Sequence, residues 1–229
     1  MGKVITIDGP AGSGKSTTAR AVARRLGGTL LDTGAIYRCI ALAARRRGVS
    51  TDDVEGLAKV ALEAKVSFQP QDDPAKGDRV FLDGDDVSHE IRTSGVSLDA
   101  SKISAHPEVR EALLQVQRDL AREGIVVAEG RDMGTVVFPQ ARHKFFLDAN
   151  TETRAKRRYK ELLEKGEQIS YHQVLADQKS RDRRDAEREA SPLRAAEDAV
   201  RIDSTQLTPK EVVETILARV NQKKESQPL

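Results

Sequence analysis

The chain has no tryptophan, one cysteine and only 3% aromatic residues in 229. A lone cysteine, Cys39, excludes an internal disulfide and any all-cysteine zinc site, and it suits a reducing compartment. With so few rings there are no rows of aromatics on which nucleic-acid bases could stack, so polar groups must read any base that binds. Charge of one sign is lacking too. Thirty-eight Lys and Arg oppose 36 Asp and Glu, and the net +2 gives no whole-molecule attraction to nucleic acid or to an anionic membrane. No apolar run approaches the roughly 20 residues of a membrane span, and the first residues enter a strand pattern rather than a leader pattern. The expectation is a cytoplasmic monomer with small-molecule partners, no nucleic acid and no membrane.

What is present begins at residues 3–17, KVITIDGPAGSGKST. An apolar, β-branched run leads into a glycine-rich loop and then into a helical pattern. Gly9, Gly14, Lys15 and Ser16 fit G-x-x-x-x-G-K-[ST]; Pro10, Ala11, Gly12 and Ser13 fill the loop and Thr17 follows it. The glycines let successive N–H groups face one anion, and the helix N-terminus adds partial positive charge. Lys15 can reach the β- and γ-phosphates, and the Ser16 hydroxyl can sit on Mg²⁺. The loop is therefore expected to hold ATP, with Mg²⁺ as the accompanying ion. Lys15 is expected to be an exposed cation that contributes little to stability.

The rest of the chain alternates strand and helix patterns. Strands are expected at TLLD, IVVAEG, HKFFLDAN and AVRIDST, with helices after the loop, from Ile36 to Arg47, over 50–65, from Pro107 and from about Thr208. The order predicts an α/β fold, a doubly wound parallel sheet of the P-loop kinase type with helices on both faces. A turn is expected after TLLD. Between them, KVSFQPQDDPAKGDRVFLDGDDV mixes short β-like runs with Asp, Pro and Gly turns, which predicts an antiparallel insertion at about 66–88. Its carboxylates, Asp72, Asp73, Asp83, Asp85 and Asp86, lack the spacing of a calcium loop and read as solvated turns. Cys39 reads as core. Arg45 to Arg47 read as a solvated helix end, while Arg38 lies nearer a helix N-terminus that could hold a phosphate. On the helix from Pro107, Val109, Leu113, Val116 and Leu120 form the expected inward stripe, with Arg110 beside it. His143 and His172 are expected at the surface. Past the end of IVVAEG come Arg131 and Asp132, at the sheet edge where open α/β sheets bind ligands.

The most arginine-rich stretch lies between Asn150 and Ser191. Arg154, Arg157 and Arg158 fall on one helix, and Arg181, Arg184 and Arg188 recur at spacings of three and four after a break at Gly166. A salt-bridged surface explains such a pattern equally well. The P-loop favours a second reading, in which arginine-bearing helices close over a triphosphate and exclude water.

Together the P-loop, LLDTGAIYR, SKISAHPEVREALL, EGRDMGTVVFP and SRDRRDAER resemble bacterial cytidylate kinases, nucleoside-monophosphate kinases among the P-loop NTPases, over nearly the whole chain. The resemblance implies transfer of the γ-phosphate of ATP to CMP or dCMP. It implies a single kinase domain over 1–229, a monophosphate-binding part at 33–100 containing the insertion, and a lid at 154–188. Thr33 would contact the monophosphate nucleotide, and Arg38 and Arg131 would hold its phosphate. Ser101, Arg110 and Asp132 would read cytosine; Arg181, Asp185 and Arg188 would serve the sugar and the phosphates. Lys15, Arg131, Arg181 and Arg188 would carry the chemistry, with Arg157 on the ATP side. Independently of the family, a cytosine edge offers one amino donor and two acceptors, which an Asp and an Arg–Ser pair can match. Thr33 and Glu129 stand where relatives often have Ser and Asp, and Glu129 has no assigned role.

Two other readings stay open on sequence. A kinase for a different small metabolite shares the P-loop but needs no base-reading set, and a non-catalytic nucleotide-binding regulator shares the parts without turnover. A GTPase switch needs N-K-x-D, which the chain lacks.

Overall fold

The run KVITID makes β1 (Lys3–Asp8), and its inner residues Ile5, Thr6 and Ile7 are all fully buried. Burial on both faces is what a central parallel strand between helical layers requires. The computed structural model describes residues 3–69, 71, 77–164 and 166–225. Four more strands join β1: β2 (Thr29–Asp32), β6 (Ile125–Gly130), β7 (His143–Asp148) and β8 (Val200–Asp203), in the order β2-β6-β1-β7-β8. β1 runs parallel to β6 and β7, and β7 parallel to β8. The register sets Asp8 level with Gly130 on one side and Phe146 on the other, so β1 and β6 end together at the carboxyl edge. This is the predicted doubly wound α/β sheet.

The chain divides into two compact units, one at Asp32–Leu120 and the other formed by the remainder, which holds this sheet. In the sheet unit, α1 (Lys15–Arg25) packs against α8 (Pro209–Glu225), and Val22, Val127, Phe145, Leu147, Ile216 and Val220 bury around Ile5 and Ile7. Each such side chain stabilises by about 1.5–3 kcal/mol. The arginine-rich stretch forms a helical hairpin, α6 (Thr151–Glu164) and α7 (Tyr171–Glu187), with its own small core of Ala155, Leu162 and Val174. Tyr159 and Tyr171 meet edge to face there, 6.0 Å apart.

In the Asp32–Leu120 unit, α2 (Thr33–Arg46) starts directly on β2, without the expected turn, because Asp32 accepts a hydrogen bond from Ala35 N at 2.8 Å and so caps the helix. α3 (Val54–Glu63) begins four residues later than expected because Asp53 caps it by accepting from Gly56 N. The insertion is an antiparallel sheet of β3 (Val66–Gln69), β4 (Arg79–Leu82) and β5 (Asp85–Asp86). Asp72, Asp73 and most of the PAKGD turn lie outside the described residues. A short 3-10 turn, Glu90–Arg92, leads to α4 (Ser94–Ile103) and α5 (Pro107–Asp119).

Arg45, Arg46 and Arg47 pair with Asp99, with Asp85 and Glu90, and with Glu63, as surface ion pairs at the end of α2. Among the described residues no group of acids, His and Cys could hold a metal ion. Cys39 is fully buried, and burial pushes its thiol up to about 12, so it packs rather than reacts.

Two expectations on burial away from the P-loop fail. Leu120 lies just beyond the last turn of α5 and is 40% exposed, and Gln117 takes the next inward place, its amide donating to Leu113 O. His143 is buried, not at the surface, because it opens β7 beside Ile5 of the central strand.

Candidate active site

The P-loop leaves β1 at Gly9, whose φ of +148° admits glycine and where a Cβ would run into the Leu147 carbonyl. It then passes Gly12, where a Cβ would come within 3.0 Å of Arg154 O, and enters α1 through Gly14. Gly14 is the N-cap and brings no side chain to the first N–H groups of α1, and no acid sits in that first turn. Those donors are thus left for an anion.

Lys15 is buried, contrary to the expectation of an exposed cation. Its Nζ donates to Pro10 O at 2.6 Å, curling the side chain over its own loop. Burial, joined by the positive charges of Arg131 and Arg181 and opposed by Glu129 and Asp185, pulls its amine down to about 7. The field at Lys15 thereby identifies a cluster: Lys15, Arg131 and Arg181 against Glu129 and Asp185. Ser16 and Thr17 are exposed at the helix start.

Arg131 and Asp132 follow β6. Arg131 Nε donates to Asp185 Oδ2 at 2.7 Å, and its Nη1 lies 3.4 Å from Gly130 O. Burial alone would raise the Asp185 carboxyl; Arg131, with Arg181 and Arg188, overcomes this and holds it below the ordinary carboxylate range. Asp132 is buried and precedes a one-turn π-helix, Met133–Val137. Asp8 accepts from the N–H groups of Met133 and Gly134, both at 2.8 Å.

The hairpin is fastened to the P-loop. Arg154 donates through Nε to Ala149 O, through Nη1 to Ala11 O at 3.2 Å and to Asp182 Oδ1, and through Nη2 to Thr151 Oγ1 and Asp182 Oδ2. Gln178, a turn before Asp182 on α7, donates to the same Ala11 O at 2.8 Å. Arg154 is therefore a buried strut rather than an arginine available to phosphate. Arg157 donates to Ser204 O at 2.7 Å, and the Ser204 hydroxyl donates to Ser13 O, joining α6, the residues after β8 and the P-loop. Arg188 caps the end of α7 and donates to Ser191 O at 2.7 Å.

In the Asp32–Leu120 unit, Thr33 and Arg38 lie on α2, Ser101 on α4 and Arg110 on α5. Arg38 pairs with Asp32 at 3.3 Å. The Arg110 guanidinium sits 5.5 Å over the Tyr37 ring and donates to Ser104 O, while Ser104 donates to Ser101 O. Tyr37 is one helical turn from Thr33, so these contacts link Thr33, Ser101 and Arg110 through neighbours. Every site residue expected from sequence thus falls into one of two groups, one in each unit.

Sequence reasoning missed Asp8, Gln178, Asp182, Ser204 and Tyr37. Only Asp8 gave a signal, as a charge ending an otherwise apolar strand at a sheet's carboxyl edge.

A model of the cytidylate kinase family matches residues 5–222. A curated cytidylate kinase of Pasteurella multocida is 51% identical over 219 residues, covering 96% of this chain and 95% of the relative. One of Aeromonas salmonicida is 49% identical over 222 residues, 97% of this chain and 95% of the relative. A third, of Caldanaerobacter subterraneus subsp. tengcongensis, is 49% identical over 212 residues, 93% of this chain and 92% of the relative.

Proposed function

As the chain belongs to the cytidylate kinase family, we propose that it transfers the γ-phosphate of ATP to CMP or dCMP, with the loop after β1 as the donor site. The observation that carries this is near-full-length likeness to cytidylate kinases about half identical, combined with a buried Lys15 in the field of Arg131 and Arg181. A kinase for another metabolite and a silent nucleotide binder are both disfavoured by the same likeness.

The donor triphosphate lies on the N–H groups of the P-loop and the start of α1. Lys15 leaves the Pro10 carbonyl for the phosphates, which restore its full charge. Arg157 serves the ATP side, and Arg131, Arg181 and Arg188 neutralise charge on the transferring group. The acceptor phosphate is already ionised, so alignment suffices and no general base is needed. Thr33 and Arg38 hold the monophosphate nucleotide; Ser101, Arg110 and Asp132 read its base; Asp185 accepts from its sugar. The exposed Ser16 hydroxyl, and the absence among the described residues of any acid cluster, fit an ion that takes few protein ligands and keeps phosphates and waters. Ser16 would hold Mg²⁺, which would supply neutralisation of phosphate charge. The helices between Arg154 and Arg188 act as the lid. The same reading takes the protein to be a monomer in the cytoplasm. Among the described residues no helix is long and apolar enough to cross a membrane.

Phosphorus NMR of the protein with ATP, Mg²⁺ and a panel of CMP, dCMP, UMP, AMP and gluconate tests the reading. CDP and dCDP should form first. Turnover of gluconate alone, or no new diphosphate from any acceptor, would reject it.

A further inference from the structure

Asp8 is the last residue of β1 and is 4% exposed. Its strand is fixed on both sides by β6 and β7, and the residue after it, Gly9, is pressed on the Leu147 carbonyl. Its two carboxylate oxygens each accept one backbone hydrogen bond at 2.8 Å, Oδ1 from Met133 N and Oδ2 from Gly134 N. These are the first two N–H groups of the π-helical turn, which at a helix start have no partner within the turn.

The residue placed to cap that turn is Asp132, and an aspartate there ordinarily accepts from the second or third N–H. Asp132 makes no such bond, and its φ of −146° turns it out of the helical region. Asp8 does the capping from a different strand.

We propose that Asp8 is a positioning residue: by capping Met133 and Gly134 it fixes the place of the segment that carries Arg131 and Asp132, the residues that meet the acceptor phosphate and base. The charge is costly where it stands. Burial, with Asp132 adding and Lys15 and the two N–H groups opposing, pushes the Asp8 carboxyl up to about 7. An ordinary structural cap needs no charge in the core, but two parallel N–H donors at one site are matched only by a group with two acceptors. The proposal rests on the reading that Asp132 engages the acceptor.

Asp8→Asn tests it, because the amide keeps one acceptor and turns a donor toward the second N–H. The KM for CMP should rise by on the order of tenfold, the cost of one charge-assisted hydrogen bond, and the CMP to UMP preference should shrink. The KM for ATP should move less than about twofold. Gly134→Ala approaches the same contact from the other side, since its Cβ would lie 3.0 Å from Thr6 Oγ1 and 3.4 Å from Asp8 Oδ2. It should reproduce the effect, and the double variant should cost less than the sum. Should Asp8→Asn fail to fold, Gly134→Ala kinetics and amide exchange in the unaltered protein decide, with Met133 and Gly134 among the slowly exchanging amides. A merely structural cap would lower stability and leave the CMP to ATP split and the base preference alone; that result, or rapid exchange at both amides, overturns the proposal. Absence of CMP turnover in the unaltered protein would overturn the functional reading instead.

Discussion

Arg131 Nε and Asp185 Oδ2 meet at 2.7 Å, joining the residue after β6 to the last turns of α7. Side-chain exposures of 18% and 6% make this a largely buried pair, for which removing one partner costs more than the pair contributes. Asp185→Asn should therefore lower stability by about 3 kcal/mol at neutral pH. The Asp185 carboxyl is held below its ordinary range, so its contribution is present above the unfolded value and is lost as pH falls through the folded one. Urea denaturation from pH 7 downward checks this: the gap between the unaltered protein and Asp185→Asn should hold down to the ordinary carboxylate range and narrow as the pH falls below it. A gap independent of pH would contradict it.

Lys15 supplies a second pH signature. Its amine is pulled down to about 7, and a bound polyphosphate favours the cation, so binding must raise that value. Between about pH 7 and pH 9, ATP binding should take up part of a proton. Calorimetry in buffers of different ionisation enthalpy reads the uptake directly. Arg131 stays charged throughout this range, and Lys15→Ala should abolish both the uptake and turnover. An equal uptake in Lys15→Ala would assign it elsewhere.

Asp182 holds both terminal nitrogens of Arg154, at 3.0 and 2.7 Å, and so ties α7 to the strut that reaches Ala11 O. Asp182→Asn should weaken that tie by about 1.5–3 kcal/mol and speed amide exchange along α7, with α1 and β1 unchanged. In the unaltered protein, ATP together with CMP should slow exchange over the arginine-bearing hairpin. Equal exchange with and without both nucleotides would make the hairpin a fixed surface element and end its role as a lid.

How much of this was legible beforehand follows from the kind of interaction. The P-loop and the parallel strands were readable because their signals are local: a fixed spacing, an apolar run, a glycine where φ is positive. The segment after β6 was readable because strand ends at a sheet's carboxyl edge are binding positions. The burial of Lys15 was not, since its side chain curls onto the Pro10 carbonyl, and its lowered amine follows from that burial and from charges more than a hundred residues away. Arg154 looked like its neighbours Arg157 and Arg158, and only Asp182 and Ala11 make it a strut. Asp8 showed only as a charge at a strand end; its capping of Met133 and Gly134 was not readable, because these partners lie 125 and 126 residues on. Leu120 continued a helical period past the point where the helix stops.

On the proposed function, this chain selects cytidine monophosphates through the Asp132 carboxylate. Asp132 can accept from the cytosine amino group, whereas uracil presents a carbonyl there and leaves the carboxylate unpaired. An amide can rotate to donate to that carbonyl. The direct measurement is kcat/KM for CMP and for UMP, in the unaltered protein and in Asp132→Asn. In Asp132→Asn, CMP activity should fall by about one to two orders of magnitude, the loss of a charged hydrogen bond, while the CMP to UMP ratio shrinks. A ratio equal to that of the unaltered protein would contradict it and move base recognition to other residues.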